Sequence, residues 1–370
     1  MKILIAAGIF IPEVGGPATY ISNLAKEFVK LGHKVSVVTY SDQDFYDIDD
    51  NLSYKVFRIK RKNKLSNYFR YYKKLKDVNK KESIDLLYAF DHFSAGIPAS
   101  LLAKKIKKPL VIRVGGDFLW EKMVNLGKIN IPLHKYYSTN KNIKEKIYLN
   151  IFQRVFIRAN KIIFNTQWQQ DLYEANFILN KKNNSVIHNF FVKNNLENKN
   201  INSDEIIFAG RFIKLKNIEN LIKAFSQIKT NKKLILIGDG PEKNNLKNLI
   251  KNYTNIKIEA PLPVDKLLKR ISGCYAFVLP SLSELSPNVA LEALSLGKAV
   301  ILTKNNGLPA ELKKYFYLIN PEAINEITKA INFLLEDKNY QDFLQKIELC
   351  IFDNSWSKIT HDHIKLFKSL

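Results

Sequence analysis

Cysteine is scarce in this sequence: only Cys274 and Cys350 occur, far apart along the chain. Two such cysteines exclude a disulfide framework, and we expect buried free thiols in a reducing compartment. Long apolar runs are also missing, since no stretch approaches the roughly 20 residues that a membrane-spanning helix needs. The opening residues, MKILIAAGIF, lack the apolar region and cleavage site of a signal peptide, so they are interpreted as a first strand. A cytoplasmic protein without an integral membrane anchor is expected.

Acidic residues are outnumbered, with 35 Asp and Glu against 58 Lys and Arg, which gives a net charge of +23. Two interpretations of this excess stay open. It reflects a Lys-, Asn- and Ile-rich composition of the kind that AT-rich coding produces, or it attracts anionic lipid head groups or an anionic substrate. The length of 370 residues and the apolar fraction of 46% suit two globular domains.

Apolar runs of strand length alternate with helical patterns through the whole chain, which predicts an α/β fold with parallel sheets covered on both faces. The strands predicted in the first half are Lys2–Ala7, Lys34–Tyr40, Ser53–Ile59, Ile84–Phe90, Leu110–Val114 and Lys161–Thr166. Those predicted in the second half are Glu205–Ala209, Lys233–Gly238, Asn255–Glu259, Cys274–Leu279, Ala299–Leu302 and Tyr315–Ile319. The pattern is lost in a polar stretch between them. We therefore divide the chain into a domain over 1–190, a linker over 191–204, a second domain over 205–350 and a C-terminal helix over 351–370.

The stretch from Pro280 to Thr303, PSLSELSPNVALEALSLGKAVILT, predicts a strand end, a polar loop, a helix and a second strand. Ser286 is the predicted N-cap and Pro287 the first helical residue. Ligands of open parallel sheets bind beyond the carboxyl ends of the strands, and a helix N-terminus offers free backbone N–H groups to an anion. The amides around Pro287, Asn288 and Val289, proline's excepted, are thus a predicted phosphate site.

Two acids accompany this predicted phosphate site. Glu284 precedes the helix and Glu292 lies within it, eight residues on. Each is predicted to accept hydrogen bonds from sugar hydroxyls on either side of a bound diphosphate, and a diphosphate flanked by two polyols describes a nucleotide-sugar. The same Glu-x7-Glu spacing, followed by ALxxGKAVI, resembles the signature of the retaining glycosyltransferases of family 4.

Three further motifs carry this resemblance. Gly15 and Gly16 follow the first strand and match the family's glycine loop, which faces the donor diphosphate and the acceptor. Arg211 and Lys216 match its phosphate-binding pair, although Asn217 stands where glycine usually follows the lysine. Gly238, in the turn LIGDGP, matches a strand end near the nucleotide. Asp239 in the same turn is interpreted as turn chemistry and not as a metal ligand.

The resemblance covers nearly the whole chain and implies the GT-B fold: two Rossmann-like domains facing a cleft, with the C-terminal helix returning to the first domain. It implies a hexose-type transfer from a nucleoside-diphosphate sugar to an acceptor hydroxyl of a glycan or lipid-linked glycan, with retained configuration. Glu284 would hold the donor sugar and Glu292 the ribose. No metal and no further cofactor are expected, because Arg211 and Lys216 would neutralise the leaving diphosphate.

Several assignments stay open at this point. Asp117 stands near the place of a family histidine and either contacts a substrate hydroxyl or caps the next helix. Asp91-His92 is a second candidate, with an ordinary loop role favoured. A metal at His361 and His363 is disfavoured for want of a third ligand. The stretch Lys60–Lys81, with ten basic residues, one Asp and four aromatics, suits an anionic membrane surface, a nucleic acid or a plain solvated helix.

Other functions are compatible with the composition and the fold. A sugar phosphorylase or a nucleotide-sugar epimerase could use the same architecture. A non-enzymatic basic protein that binds membrane or nucleic acid is a rival of a different class, and the combined presence of Glu284, Glu292, Arg211 and Lys216 disfavours it. Peripheral contact with an anionic membrane is expected in preference to contact with nucleic acid. The sequence leaves the donor base, the sugar and the acceptor undefined.

Overall fold

A computed structural model describes residues 1–13, 15–191, 204–351 and 354–370. The chain divides into two compact units. Unit 1 comprises Met1–Leu119, Asn140–Phe190 and Ser355–Leu370; unit 2 comprises Trp120–Thr139 and Phe191–Asn354. Residues 192–203, which are most of the predicted linker, lie outside the described residues.

The sequence predicted helices between the strands, and the structure defines their first and last residues. They are α1 Gly16–Lys30, α2 Lys64–Glu82, α3 Gly96–Ile106, α4 Phe118–Asn125, α5 Leu133–Tyr137, α6 Ile143–Arg158, α7 Gln167–Asn176, α8 Ile218–Phe225, α9 Lys243–Ile250, α10 Val264–Ser272, α11 Asn288–Ser295, α12 Ala310–Lys313, α13 Ile324–Leu335, α14 Asp337–Glu348 and α15 Trp356–Lys368. No helix in the described ranges is both long and apolar enough to cross a lipid bilayer.

Unit 1 contains a seven-stranded parallel sheet in the order β3-β2-β1-β4-β5-β6-β7. Its strands are β1 Lys2–Ala7, β2 Lys34–Ser41, β3 Lys55–Lys60, β4 Leu86–Ala89, β5 Leu110–Val114, β6 Lys161–Phe164 and β7 Asn184–Val186. The six strands predicted for this half are confirmed. The seventh, β7, was missed because its three residues, Asn-Ser-Val, form no apolar run.

Both faces of this sheet are covered by helices. Alternate residues of β1 point to opposite faces, and all five after Lys2 are buried because each face is packed. Helix α1 contacts β2 and α15, so α15 returns to unit 1 as predicted. Right-handed crossovers place α2, α3 and α6 on the opposite face, where α2 contacts α3 and α3 contacts α6. We call these three helices the α2–α3–α6 layer.

Helix α2 contains most of the basic, aromatic-rich stretch Lys60–Lys81. Its aromatic residues divide between the two sides of the helix. Tyr71 is fully buried, and its single hydroxyl hydrogen lies between the carbonyl oxygens of Ala7 at 2.9 Å and Val38 at 2.6 Å. Tyr68 packs edge-on against Phe93. Tyr71 therefore belongs to the core, and Tyr68 is half-buried against Phe93.

Unit 2 contains a six-stranded parallel sheet in the order β10-β9-β8-β11-β12-β13. Its strands are β8 Glu205–Ala209, β9 Lys233–Ile237, β10 Ile256–Glu259, β11 Ala276–Leu279, β12 Ala299–Thr303 and β13 Tyr317–Ile319. All six strands predicted for this half are confirmed, and the order is that of the Rossmann fold. Both cysteines are buried and unpaired by disulfide, as expected.

The predicted domain boundary at residue 190 needs one correction. Residues Trp120–Thr139, assigned to the first domain from their position in the sequence, pack with unit 2. The Leu133 amide donates to Ser283 Oγ at 2.9 Å, and Lys135 Nζ lies 2.6 Å from Glu322 Oε2. The division by sequence position was wrong here, because a segment can leave and re-enter a domain without any break in strand and helix periodicity.

Candidate active site

The strand order of unit 2 reverses between β8 and β11. The loops that follow these two strands run to opposite sides of the sheet, which opens a crevice at the carboxyl edge where ligands of such sheets bind. The loop after β8 carries Arg211 and Lys216, and the loop after β11 carries Glu284. Two stretches that are far apart in the sequence are therefore adjacent at the switch point.

Lys216 and Glu284 form an ion pair at this point, with 2.6 Å between Lys216 Nζ and Glu284 Oε1. The Glu284 backbone is fixed on both sides, since its amide donates to Asn305 O at 2.9 Å and its carbonyl accepts from Gly307 N at 3.0 Å. Both side chains are largely buried. The predicted sugar-binding acid and the predicted phosphate-binding cation thus occupy one site and neutralise each other when no ligand is present.

Asn217 supports this ion pair, and its contribution was not predicted. Its backbone is left-handed, with φ 57° and ψ 32°, a conformation that glycine adopts freely and that asparagine tolerates. Its side-chain amide donates to the carbonyl oxygens of Pro280 at 3.1 Å and Pro321 at 2.7 Å. Asparagine therefore keeps the turn that glycine would form and also joins the lysine loop to the β11 loop.

Arg211 is exposed at the start of the same loop, whose course is set by close backbone packing. Phe212 N donates to Asp239 O at 2.8 Å, and Gly238 N donates to Glu259 O at 3.1 Å. A Cβ atom on Gly238 would overlap the Gly210 carbonyl oxygen. Gly238 is thus needed for two loops to approach each other, while its predicted nearness to a nucleotide stays a prediction.

Asp239 behaves as the turn residue that was predicted. Its carboxylate accepts from Gly240 N at 2.7 Å and from Lys243 Nζ at 2.6 Å. The hydrogen bond from Lys243 lowers the pKa of this carboxyl group. Among the described residues, no group of three or more His, Cys, Asp and Glu side chains is arranged to hold a metal ion.

The helix after Glu284 begins one residue later than predicted. Pro287 is the N-cap and Asn288 the first residue of α11, and the Asn288 amide donates to Ser286 O at 3.0 Å. The prediction that the Asn288 amide is free was therefore wrong, because a tight turn uses it. Within the described part of the chain, the Val289 and Ala290 amides have no backbone acceptor, so they are the donors available to an anion.

Glu292 lies in the second turn of α11 and is mostly buried. Burial raises the pKa of its carboxyl group to about 7, from an ordinary value of 4.5. A carboxylate that lacks solvent and gains no compensating donor is destabilised in its ionised form. A ligand that donates hydroxyl hydrogen bonds would supply what the site lacks, which fits the role predicted for this residue.

Two family models match the chain. Glycosyltransferase Family 4 matches residues 14–192, and Glycosyl transferases group 1 matches residues 191–347. An uncharacterized glycosyltransferase of Methanocaldococcus jannaschii is 26% identical over 391 aligned positions, which cover 100% of this chain and 99% of the relative. The solved structure of Anabaena HepE in complex with UDP and glucose superposes with a TM-score of 0.73 at 18% identity, covering 100% of both chains. The chain belongs to the GT-B glycosyltransferases of group 1 and family 4.

A further relative of this glycosyltransferase comes from Campylobacter jejuni. It is named N-acetylgalactosamine-N,N'-diacetylbacillosaminyl-diphospho-undecaprenol 4-alpha-N-acetylgalactosaminyltransferase. The two proteins are 27% identical over 192 aligned positions, which cover 50% of this chain and 53% of the relative. The solved structure of WaaG, described as a glycosyltransferase involved in lipopolysaccharide biosynthesis, matches 98% of this chain with a TM-score of 0.73 at 13% identity.

In unit 1 of the glycosyltransferase, the glycine loop also lies at a switch point, since the sheet order reverses between β1 and β4. Gly15 is the N-cap of α1 and Gly16 its first residue. Arg61 holds the loop through Glu13 at 2.7 Å. The loop therefore follows β1 and leads into α1, and its predicted contact with the donor and the acceptor stays a prediction.

Asp117 is buried in unit 1, with 1% of its surface exposed, and accepts a hydrogen bond from the Tyr173 hydroxyl at 3.0 Å. In this structure its carboxylate is enclosed by protein and is not presented to an external hydroxyl. Asp91 has the loop role that was favoured, since it accepts from the Phe93 amide at 2.8 Å and the Ala95 amide at 3.0 Å at the start of α3.

The three histidines considered from sequence have separate environments. His92 is buried among aromatic rings, and burial lowers its pKa. His363 is buried on α15 and lies 2.8 Å from the Tyr88 hydroxyl; burial lowers its pKa to about 3. His361 Nδ1 lies 2.9 Å from Ser357 O on the exposed side of the same helix. His363 is therefore a core residue.

Proposed function

We propose that this glycosyltransferase moves a hexose-type sugar from a nucleoside diphosphate to an acceptor hydroxyl with retention of anomeric configuration and without a metal. The observation that carries the proposal is the Lys216–Glu284 ion pair at the switch point of unit 2. The pair holds an ammonium and a carboxylate 2.6 Å apart, and we assign the ammonium to the diphosphate and the carboxylate to the donor sugar. A nucleotide-sugar carries the matching groups side by side, an anionic diphosphate and a sugar whose hydroxyls donate hydrogen bonds.

The donor exchanges partners within this site. The diphosphate attracts Lys216, and Arg211 and the Val289 and Ala290 amides supply further donors. Lys216 then turns from Glu284 to a phosphate oxygen, and Glu284 becomes free to accept hydroxyl protons of the sugar. Glu292 takes the ribose, whose hydroxyls satisfy the buried carboxylate.

The reaction follows from the same groups. The bond between the anomeric carbon and the phosphate oxygen breaks while the acceptor oxygen approaches on the same face, which retains configuration. The leaving phosphate takes the acceptor's proton. Arg211, Lys216 and the α11 amides stabilise the charge that grows on the diphosphate, as preorganised donors do in general. No separate carboxylate nucleophile is assigned.

A glycan or lipid-linked glycan is the proposed acceptor. The Campylobacter jejuni relative carries a diphospho-undecaprenol acceptor in its name, and the HepE structure contains UDP and glucose. These names describe those proteins, and they support the proposed substrate classes here. The net charge of +23 would favour a position at the anionic inner face of the cytoplasmic membrane.

The first test is donor binding. Thermal shift with UDP, GDP and ADP, and then with their sugars, should raise the melting temperature for one base series. Lys216→Ala should abolish that shift and sugar transfer, because an anionic Glu284 is left facing the diphosphate. Lys223→Ala, an exposed change on α8, is the matched control and should bind as the wild type. Normal turnover by Lys216→Ala would refute the proposed phosphate role.

The second test concerns the chemistry. Transfer should persist in a chelator, and the product should have the anomeric configuration of the donor by proton NMR. Strict dependence on a divalent ion would contradict charge neutralisation by Arg211 and Lys216. Conversion of the donor without an acceptor would indicate an epimerase, and release of sugar phosphate from glycan and inorganic phosphate would indicate a phosphorylase.

A further inference from the structure

The outward side of the α2–α3–α6 layer is an unusual surface because it combines exposed apolar side chains with a dense positive charge. On α6, Ile143, Ile147 and Ile157 are 78%, 55% and 66% exposed. At 3.6 residues per turn these positions fall within an arc of roughly 80°. The opposite side of the helix is buried through Phe152 and Phe156. Asn150 and Arg154 are also exposed on this arc, so it mixes three apolar side chains with a cation, and a helix that needed only water contact would lack the three isoleucines.

The two neighbouring helices repeat the pattern. On α2, Phe69 is 71% exposed and shares its arc with Lys73, Lys76 and Lys80. On α3, exposed Leu101 precedes Lys104 and Lys105. Each helix of the layer therefore presents apolar tips beside basic residues on its solvent side.

Charge on the layer is strongly one-sided. Helices α2, α3 and α6 contain thirteen Lys and Arg against three acids. Two of these acids are occupied: Glu82 pairs with Lys55 at 2.9 Å, and Glu145 is buried in the N-terminal cap of α6. Asp77 is the one of the three that remains exposed. The surface thus has little negative charge to offset its lysines.

A basic cleft adjoins this surface where α3 and α6 end. It is lined by Ala103, Lys104, Lys107, Lys108, Pro109, Arg158 and Asn160, and so by four cations and no carboxylate. Lys107 has a left-handed backbone, with φ 53°, at a helix end where glycine is favoured. Arg158 directly follows exposed Ile157, which makes the cleft continuous with the apolar arc of α6.

We propose that the outward side of the α2–α3–α6 layer, with the adjoining basic cleft, binds the surface of an anionic lipid bilayer. The exposed isoleucines and Phe69 enter the interface between head groups and acyl chains, and the lysines and Arg158 contact lipid phosphates. A nucleic acid would contact the basic residues and leave the apolar side chains in water. It would therefore explain the charge of this surface and not its exposed apolar residues. The inference deepens the proposed function, on whose lipid-linked acceptor it rests.

Vesicle co-sedimentation of the full chain tests this inference. The protein should bind vesicles of 70% phosphatidylcholine and 30% phosphatidylglycerol, and not vesicles of phosphatidylcholine alone. The triple change Ile143→Ser, Ile147→Ser, Ile157→Ser should weaken binding at least about tenfold. The control is Ile351→Ser in unit 2, a residue that is 92% exposed, and it should bind as the wild type.

A second set of variants tests the cleft. Each change among Lys104→Gln, Lys107→Gln and Lys108→Gln should reduce vesicle binding about fivefold, and Lys247→Gln on α9 should leave it unchanged. Equal binding to neutral vesicles, or unchanged binding by the isoleucine triple variant, would overturn the inference. Binding of RNA that competes fully with vesicles and persists in the triple variant would also overturn it, in favour of a polyanion site.

Failure here can be separated from failure of the proposed function. The layer variants lie outside unit 2, so their thermal shift with a nucleoside diphosphate should equal that of the wild type. A protein that binds nucleotide and does not bind vesicles would refute the membrane surface alone. A protein that binds vesicles and no nucleotide would support the surface and refute the donor site.

Discussion

Replacing Glu292 by Gln is the most informative change for the proposed donor site, since it removes an ionisable group that the fold holds in an unfavourable environment. Burial raises the pKa of this carboxyl group to about 7, against an ordinary value of 4.5. Between these values the folded chain keeps a proton that the unfolded chain has lost. The free energy of unfolding therefore falls as pH rises through this window and levels off above it.

The magnitude follows from the size of the shift. About 2.5 pKa units correspond to about 3 kcal/mol, at 1.36 kcal/mol for each unit. Glu292→Gln lacks this penalty, so its stability relative to the wild type should increase by up to about 3 kcal/mol between pH 4.5 and pH 8. For a domain of this size we expect the melting temperature of unit 2 to rise by roughly 6–12 °C relative to the wild type.

Thermal and urea unfolding at pH 5, 6, 7 and 8 measure this difference. Glu311→Gln, an exposed carboxylate change in the same unit, is the control and should follow the wild-type profile. Parallel pH profiles for Glu292→Gln and the wild type would refute the claim that this carboxylate is destabilised by burial.

Ligand binding extends the same reasoning. If ribose hydroxyls donate to the ionised Glu292, nucleotide affinity should rise with pH up to about 7, by at most tenfold per pH unit, and then level off. Calorimetry in buffers of different ionisation enthalpy should show proton release near pH 6.5. The Glu292→Gln side chain does not titrate, and its neutral amide accepts hydroxyl hydrogen bonds more weakly than a carboxylate. That variant should therefore bind nucleotide weakly and without this pH dependence.

Two further changes test the loops of unit 2. Asn217→Ala should destabilise the protein by about 2–4 kcal/mol, because alanine disfavours the left-handed backbone and removes the side-chain donor to the buried Pro280 and Pro321 carbonyl oxygens. Asn217→Gly should cost about 1 kcal/mol less, and equal losses in urea unfolding would exclude a backbone contribution. Gly238→Ala should lower stability by about 1–3 kcal/mol through overlap with the Gly210 carbonyl, and Gly273→Ala, whose Cβ would lie 3.7 Å from its nearest neighbour, should be nearly neutral by the same measurement.

The Lys216–Glu284 ion pair has a consequence for the binding of nucleotides with and without a sugar. Lys216 is neutralised by Glu284 in the ligand-free structure, so a bound diphosphate must compete with an internal carboxylate that is 2.6 Å away. The donor sugar offsets that competition because its hydroxyls give Glu284 new partners. A nucleoside diphosphate alone leaves Glu284 without them. Under the proposed function, the site would therefore favour the intact donor over the spent nucleotide, and this preference would assist product release.

Local sequence patterns determined much of this protein. Twelve strands were predicted from apolar runs, because a strand that is buried on both faces appears in the sequence as a continuous apolar stretch. Glu284 and Glu292 were proposed from the sequence because a helix start and its flanking acids lie within one short segment. Their contact with a ligand stays a prediction. Strand β7 was not predicted because its three residues do not form an apolar run.

Tertiary structure decided the rest. Contacts between distant segments placed Lys216 against Glu284, gave Asn217 its two carbonyl partners, and moved residues 120–139 into unit 2. It enclosed Asp117 and occupied the Asn288 amide, and it buried Tyr71 of α2 while leaving Ile143, Ile147 and Ile157 of α6 exposed. Periodicity reports which side chains are apolar, and only the packing of neighbouring elements determines which of them lose contact with water.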